Sequence, residues 1–222
     1  MKTCVIIPAY NESKAIGGLV NEIVSKKKLD CVVIDDGSKD KTGKIASANG
    51  AVVIYNKNNL GKGHALKQGF KYALDNMYDA VVTMDGDGQH HSEDLDVFFK
   101  EGANSDVGIV VGNRMFEEHK MPLVRKLTNK FMSWMISLVC HQNIPDSQCG
   151  FRLIKREILE KVDLKTRKFE IESELLIKTA RLNHKIKSVI IRTIYAGEKS
   201  QINPIFDTLR FIKFILREYF DK

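Results

Sequence analysis

Three observations on this 222-residue chain predict an α/β fold built on a doubly wound, mostly parallel sheet with flanking helices. Short β-branched runs alternate along the chain with helical patterns, the signature of strand–helix–strand units. The runs are uniformly apolar and lack the alternation of a half-solvated strand, so helices cover both faces of the sheet. The turns richest in carboxylates follow the first, second and fourth strands, at the carboxyl rim where open sheets of this class bind ligands.

Residues 3–8 are apolar and close on Pro8, a first strand, and residues 12–27 read as a helix that Asn11 or Ser13 can cap. Residues 31–34 form a second buried strand. It ends in Asp35-Asp36-Gly37-Ser38, and Ser38 or Asp40 can cap the helix predicted near residues 42–48. A third strand at 51–55, a helix at 63–74, a fourth strand at 80–84 and a fifth at 107–111 complete the first half. Residues 122–140 form a long helical stretch whose basic Arg125, Lys126 and Lys130 give way to Trp134, Met135, Ile136 and Leu138. Asn203-Pro204 opens a last helix with proline in its first turn. Ile205, Leu209, Ile212, Leu216 and Phe220 recur there at helical spacing, and Phe206, Phe211, Phe214, Ile215 and Tyr219 widen the stripe. That helix either closes the core or lies against a membrane surface or a second subunit. No repeat, low-complexity tract or linker divides the chain.

Composition is that of a globular domain, 43% hydrophobic and 28% charged, which excludes a disulfide-stapled miniprotein and a disordered tail. The net charge of +7 is unevenly spread: residues 1–110 carry 13 basic and 15 acidic side chains, residues 111–222 carry 22 and 13. A basic second half points to a negatively charged partner such as a phosphate or a membrane surface. Cys4, Cys31, Cys140 and Cys149 form no CxxC pair and read as buried thiols of a reducing compartment. The first residues do not resemble a signal peptide, and the apolar stretch at 131–140 is too short to cross a bilayer, which takes roughly 20 residues. The expectation is a cytoplasmic chain, peripheral at the cytoplasmic face of a membrane. It reaches that membrane through its last helix or through a separate anchor protein.

Met84-Asp85-Gly86-Asp87-Gly88-Gln89-His90 is the sharpest feature. An apolar strand runs into two carboxylates separated by one glycine, and residues two apart on a strand face the same side. Hard oxygen donors in this pattern suit Mg2+ or Mn2+, which in turn bridge phosphates. A calcium loop of the EF-hand kind needs more acidic positions and a terminal Glu, both missing here. A solvated acidic turn is the plainer alternative. Pro8-Ala9-Tyr10-Asn11-Glu12 can wall a base and ribose, and Asp35-Asp36 can accept hydrogen bonds from them; helix capping explains either segment equally well. Asn58-Asn59-Leu60-Gly61-Lys62-Gly63 lacks the GxxxxGK[ST] spacing of an ATPase loop. No GxGxxG follows the first strand.

Val5-Ile6-Ile7-Pro8-Ala9-Tyr10-Asn11-Glu12, Val33-Ile34-Asp35-Asp36-Gly37-Ser38, Asn59-Leu60-Gly61-Lys62-Gly63 and the turn at 84–90, in that order, resemble the family 2 inverting glycosyltransferases of the GT-A fold. Gly112-Asn113-Arg114, Asp146-Ser147-Gln148-Cys149-Gly150-Phe151-Arg152 and Phe169-Glu170-Ile171-Glu172 resemble, within that family, the dolichyl- or polyprenyl-phosphate mannosyl- and glucosyltransferases. The QxxRW element of processive polysaccharide synthases is missing. The resemblance implies one catalytic domain over 1–222, with a nucleotide-sugar-binding half at 1–112, an acceptor-binding half at 113–200 and the amphipathic helix at 203–222. It implies that Pro8, Tyr10, Glu12 and Asp36 hold the nucleoside of a GDP- or UDP-hexose. Asp85, Asp87 and Gln89 would surround Mg2+ or Mn2+ on the diphosphate, and Asp85, Asp87 and Arg114 would carry the reaction. Lys62, Gly86, Lys168 and Ser200 would complete the donor and phosphate contacts. Where the family often has Ser-Lys this chain has Ser200-Gln201, and an arginine that precedes that serine in the best-known members has no counterpart. Lys199 or Arg192 is then expected in the phosphate clamp.

A lipid phosphate is already anionic and needs cations that hold and aim it rather than a base; Arg114, Arg125, Lys126, Lys130 and Arg152 are the candidates for that seat. A soluble sugar or protein acceptor would need a carboxylate base, for which Glu170, Glu172 or Asp146 are available. A nucleotidyltransferase fits less well, because Pro8-Ala9-Tyr10 stands where a glycine-rich basic loop would be. Nucleic acid is not an expected partner: the acidic turns repel phosphate, and no aromatic-and-basic sheet face is visible.

Overall fold

A computed structural model describes residues 1–116, 121–166, 168–192 and 204–220. Its strands are β1 (Thr3–Ala9), β2 (Asp30–Asp35), β3 (Val52–Tyr55), β4 (Ala80–Thr83), β5 (Val107–Asn113), β6 (Arg152–Lys155) and β7 (Lys185–Ile190). They form a 7-stranded sheet in the order β3-β2-β1-β4-β6-β5-β7. Helices α1 (Ile16–Asn21), α2 (Thr42–Ala48) and α3 (Lys62–Asp75) connect the first four strands. After β4 come α4 (Leu95–Gly102), α5 (Leu123–Cys140), α6 (Arg156–Lys161), α7 (Glu170–Arg181) and α8 (Pro204–Phe220).

The β-branched runs form the centre of the sheet because nothing polar in them needs water. Val5, Ile6, Ile7, Val32, Val33, Ile34 and Val82 are fully buried. Pro8 is tolerated in β1 because pairing with β4 ends at Ile6–Thr83, so on that side its missing N–H has no ladder bond to make. The chain winds from β1 outward to β3 and then returns to lay β4 on the other flank of β1. The order therefore reverses between β1 and β4, and both the 8–12 and the 85–90 turns leave the sheet at that reversal.

The five strands expected from the sequence are all present, within a residue or two of their predicted bounds. The helix expected at 12–27 starts later, as α1, and runs into a π-helical turn at Glu22–Lys26. Two strands were not anticipated. β6 pairs antiparallel with both β4 and β5, so the sheet is mixed at its centre, and β7 closes the far edge parallel to β5.

The last helix packs on α5 and α7, with Phe211, Phe214 and Ile215 buried and Arg181 Nη1 3.1 Å from Glu218 Oε2. Of the alternatives open in the sequence, α8 closes the core. The side chains of 204–209, 219 and 220 lie outside the described residues. All four cysteines are buried and free, and burial pushes their thiols up to about 12.

Candidate active site

Two turns at the reversal point are stitched together by side chains. Asn11, in a left-handed conformation (φ 58°), donates its N–H to Ser38 Oγ at 3.0 Å and accepts from the Lys39 N–H at 2.8 Å. The Glu12 N–H donates to Thr42 Oγ1 at 2.8 Å and the Ser13 N–H to Asp40 Oδ2 at 3.2 Å. Neither Asn11 nor Ser13 caps α1, because both are spent on the neighbouring turn. Hydrogen bonds from Thr42 and Ser13 outweigh desolvation and hold the Asp40 carboxyl down at about 2.

The two aspartates after β2 are committed to the backbone. Asp35 accepts from the Ser38 N–H at 2.8 Å and the Gly43 N–H at 3.0 Å. Asp36 accepts from Asn56 Nδ2 at 2.8 Å and from the N–H groups of Leu60 and Gly61, the last at 2.7 Å. A carboxylate has about four lone-pair positions, and three donors use those of Asp36 here. Asp36 thus holds the 56–61 loop beside the turns to which the resemblance assigns the nucleoside. Gly37 (φ +76°) lets that loop approach; a Cβ there would stand 2.6 Å from the carbonyl carbon of Asn58. Pro8 and Glu12 are half-buried beside this pair of turns, and Tyr10 is 38% exposed at the rim.

Asp85 leaves the end of β4 into a small cage. Its Oδ1 lies 2.6 Å from Lys62 Nζ at the start of α3, and its Oδ2 lies 3.6 Å from His90 Nε2. Lys62 Nζ is also 3.1 Å from Glu172 Oε1 in the first turn of α7. Gly150 closes the cage, since a Cβ there would fall 2.5 Å from Asp85 Oδ2. Burial opposes the charge on Asp85, but the Lys62 ammonium and then His90 overcome it and hold the carboxyl well below the usual carboxylate range. Burial likewise disfavours the Lys62 ammonium, and Asp85 and Glu172 more than compensate, raising its pKa. His90 is buried against Phe151, ring centroids 5.2 Å apart, and its Nδ1 has no partner among the described residues. Gly86 lies against Ala9 and Glu12, and the Gln89 N–H donates to Asp87 Oδ1 at 3.0 Å across the turn made by Gly88 (φ 73°).

Two of the basic residues expected to seat a phosphate have protein partners of their own. Arg114 follows β5 and is buried, with Nε 2.8 Å and Nη2 2.9 Å from the two oxygens of Asp146. Desolvation works against both charges, and their mutual attraction outweighs it, raising Arg114 and lowering Asp146. Arg152 is 1% exposed and donates to the carbonyls of Cys149, Ser147 and Glu172. Both arginines are therefore buried and engaged, Arg114 by a carboxylate and Arg152 by carbonyls. Arg192, one alternative for the clamp, turns its Nη2 to Glu93 and Asp94, each at 2.9 Å. Lys168 stands exposed just ahead of α7. Ser200 and Lys199 lie outside the described residues. Each carboxylate considered as a base has a cationic neighbour: Asp146 has Arg114, Glu172 has Lys62, and Glu170 lies 3.6 Å from Arg210.

Sequence reasoning placed Asp85, Asp87, Gln89 and Lys62 in one site but not the ion-pair chain Asp85–Lys62–Glu172, whose members come from three elements. No role was expected of His90, and nothing in its local pattern gives one. Among the described residues no three His, Cys, Asp or Glu side chains cluster to hold a metal by themselves. The donor chemistry of the 85–89 turn, two carboxylates and an amide, nonetheless suits a hard cation that takes its remaining ligands from water and a diphosphate.

The geometry is that of a ligand-binding α/β rim, and the chain belongs to glycosyl transferase family 2, whose profile spans residues 4–163. The UDP-N-acetylglucosamine–dolichyl-phosphate N-acetylglucosaminyltransferase of Methanococcus voltae is 32% identical over 212 residues, covering 86% of this chain and 84% of that protein. The undecaprenyl-phosphate mannosyltransferase of Micrococcus luteus is 29% identical over 205 residues, covering 86% and 83%. Glucosyl-3-phosphoglycerate synthase of Mycobacterium tuberculosis, solved with UDP, has the same fold: TM-score 0.77, 22% identity, 98% of this chain and 79% of that one. Its complex with Mn2+, UDP and glucosyl-3-phosphoglycerate gives a TM-score of 0.71 at 19% identity, over 99% and 79%. The fold is GT-A, and the chain is a glycosyltransferase.

Proposed function

We propose that this glycosyltransferase moves a hexose with inversion from a GDP- or UDP-sugar to the phosphate of a dolichyl or polyprenyl lipid. The observation that carries the reading is the pairing of all three base candidates, Asp146, Glu170 and Glu172, with Arg114, Arg210 and Lys62. A carboxylate already held in an ion pair must give up that partner before it can serve as a general base. An acceptor that arrives as an anion does not need one, and the names of the Methanococcus and Micrococcus relatives specify acceptors of that kind.

In this reading residues 1–112 bind the donor, residues 113–200 the acceptor, and the whole chain is one catalytic domain. Pro8, Tyr10 and Glu12 line the nucleoside side; Gly86 lets the diphosphate approach the backbone. Asp85, Asp87 and Gln89 would hold Mg2+ or Mn2+, which when bound stabilises the charge of the departing diphosphate. Lys62, already 2.6 Å from Asp85, supplies a fixed positive charge at the same place. An acceptor phosphate oxygen attacks the anomeric carbon from the face opposite the diphosphate. The new C–O bond forms as the old one breaks, and the nucleoside diphosphate leaves with the bonding pair. Lys168 and Ser200 are assigned to the phosphates. Arg114 acts through the 146–151 loop that it anchors.

The test is a donor panel of GDP-mannose, UDP-glucose and UDP-N-acetylglucosamine with Mn2+ and a short polyprenyl phosphate, read as radiolabelled glycolipid. One donor should give product and Asp87→Ala should abolish it. Transfer to a soluble sugar or protein with none to the lipid would replace the acceptor assignment.

A further inference from the structure

The helix α5 faces water with an apolar side. Leu123, Val124, Leu127, Phe131, Trp134 and Leu138 are 68, 60, 58, 39, 58 and 55% exposed. At roughly 100° per residue these six fall within an arc of about 100°. Met132, Ile136 and Cys140 project from the opposite side into the core, so α5 is apolar on both faces and only one of them is buried among the described residues. A continuous exposed stripe of this kind marks an interaction surface.

We propose that the exposed face of α5 docks on an anionic phospholipid surface. The helix carries Arg125, Lys126 and Lys130 and no carboxylate. At helical spacing Lys126 and Lys130 border the apolar stripe on one flank, the arrangement that lays an amphipathic helix in a headgroup layer. No helix among the described residues is long and apolar enough to cross a membrane, so the contact is one of lying on the surface. The same charges argue against a second copy as the occupant. A two-fold contact through this stripe would bring together two helices that each carry basic residues and no acidic ones.

The face lies across α5 from a loop of the site. On the buried side of α5, Ser133 Oγ accepts from the Ser147 N–H at 2.8 Å, next to the Asp146 that grips Arg114. About one helix diameter, roughly 10 Å, separates the docking stripe from that loop. The purpose of the surface rests on the proposed lipid-phosphate acceptor, but its evidence and its test do not.

Trp134 is the chain's single tryptophan and lies within the stripe, so its emission reports directly on docking. The experiment adds vesicles of phosphatidylglycerol and phosphatidylcholine, free of polyprenyl phosphate and of donor, and reads both Trp134 emission and co-sedimentation. The expected result is a blue shift with partition onto the vesicles that weakens as NaCl is raised. Leu127→Glu/Leu138→Glu should reduce partition by more than about tenfold while its circular dichroism and thermal midpoint stay those of the wild type. An unshifted Trp134 with no co-sedimentation overturns the proposal, as does partition that the double variant leaves intact. Equal partition onto pure phosphatidylcholine overturns the anionic assignment. Concentration-dependent self-association that the double variant abolishes, without vesicle binding, assigns the face to a second copy instead. Because no sugar transfer is measured, failure here leaves the transferase reading standing, and failure of the donor panel leaves this one standing.

Discussion

Asp85 shows how a reactive group is kept charged in a half-buried place. Desolvation would protonate it, and Lys62 at 2.6 Å together with His90 at 3.6 Å prevents that. Its carboxyl pKa is lower in the folded chain than in the unfolded one, near 3.9. The stabilisation is therefore complete above that unfolded value and is lost as pH falls through it toward the folded value. At pH 7, Asp85→Asn should cost about 1–3 kcal/mol, the range of a hydrogen bond to a charged group. Lys62→Met, which strips the cation from both Asp85 and Glu172, should cost more, about 3–5 kcal/mol. Urea midpoints measured from pH 7 downward should show wild type and Asp85→Asn converging between about pH 5 and pH 2. A gap that stays constant over that range would mean that Asp85 contributes by packing rather than by charge.

At the scale of elements, the 146–151 loop and the turn after β4 fit each other through the absence of one side chain. Thr83 Oγ1 donates to the Gly150 carbonyl at 2.8 Å, and Gly150 has no Cβ to displace Asp85. Gly150 is not among the glycines with positive φ, so alanine there is a steric perturbation and not a backbone one. Gly150→Ala should destabilise by about 1–3 kcal/mol and lower transfer activity, because the carboxylate it meets is pinned by Lys62 and cannot swing aside. Gly86→Ala is the contrast: its Cβ meets Ala9 and Glu12 at 3.4 Å, an ordinary contact, and the thermal midpoint should hardly move. Equal midpoints for the two variants would show that the loop yields. This pair of elements also marks the limit of what the sequence discloses. The turn at 85–89 was legible because an uninterrupted apolar run ends in alternating Asp and Gly, a local pattern. β6 was not, being 4 residues long with a buried arginine at its head that reads as surface charge. β7 hides for another reason: as an edge strand it mixes Lys and Ser with Ile and Val out of strict alternation, and only one of its residues is buried. The contacts of Arg114 with Asp146 and of Arg152 with three carbonyls are set by the tertiary fold and have no sequence signature.

At the scale of the whole molecule, Lys62 of α3 reaches Asp85 beyond β4 and Glu172 of α7, so distant parts of the chain meet where the proposed function puts a diphosphate. A ligand there is expected to bind the folded chain alone and to stabilise it by mass action, by about 2.7 kcal/mol at a hundred times its dissociation constant. For a chain of 222 residues that is a rise of roughly 5–10 °C in the thermal midpoint. UDP and GDP, each with Mn2+, should be compared in this way, and the nucleotide giving the larger rise names the base that the donor carries. Adding EDTA should remove most of the rise, because the carboxylates of Asp85 and Asp87 repel a bare diphosphate. Asp87→Ala should lose the Mn2+-dependent part while keeping the fold. A rise of equal size with EDTA present would mean that Lys62 and the basic second half hold the diphosphate without a metal, and the assignment of Asp85, Asp87 and Gln89 as its ligands would have to be withdrawn.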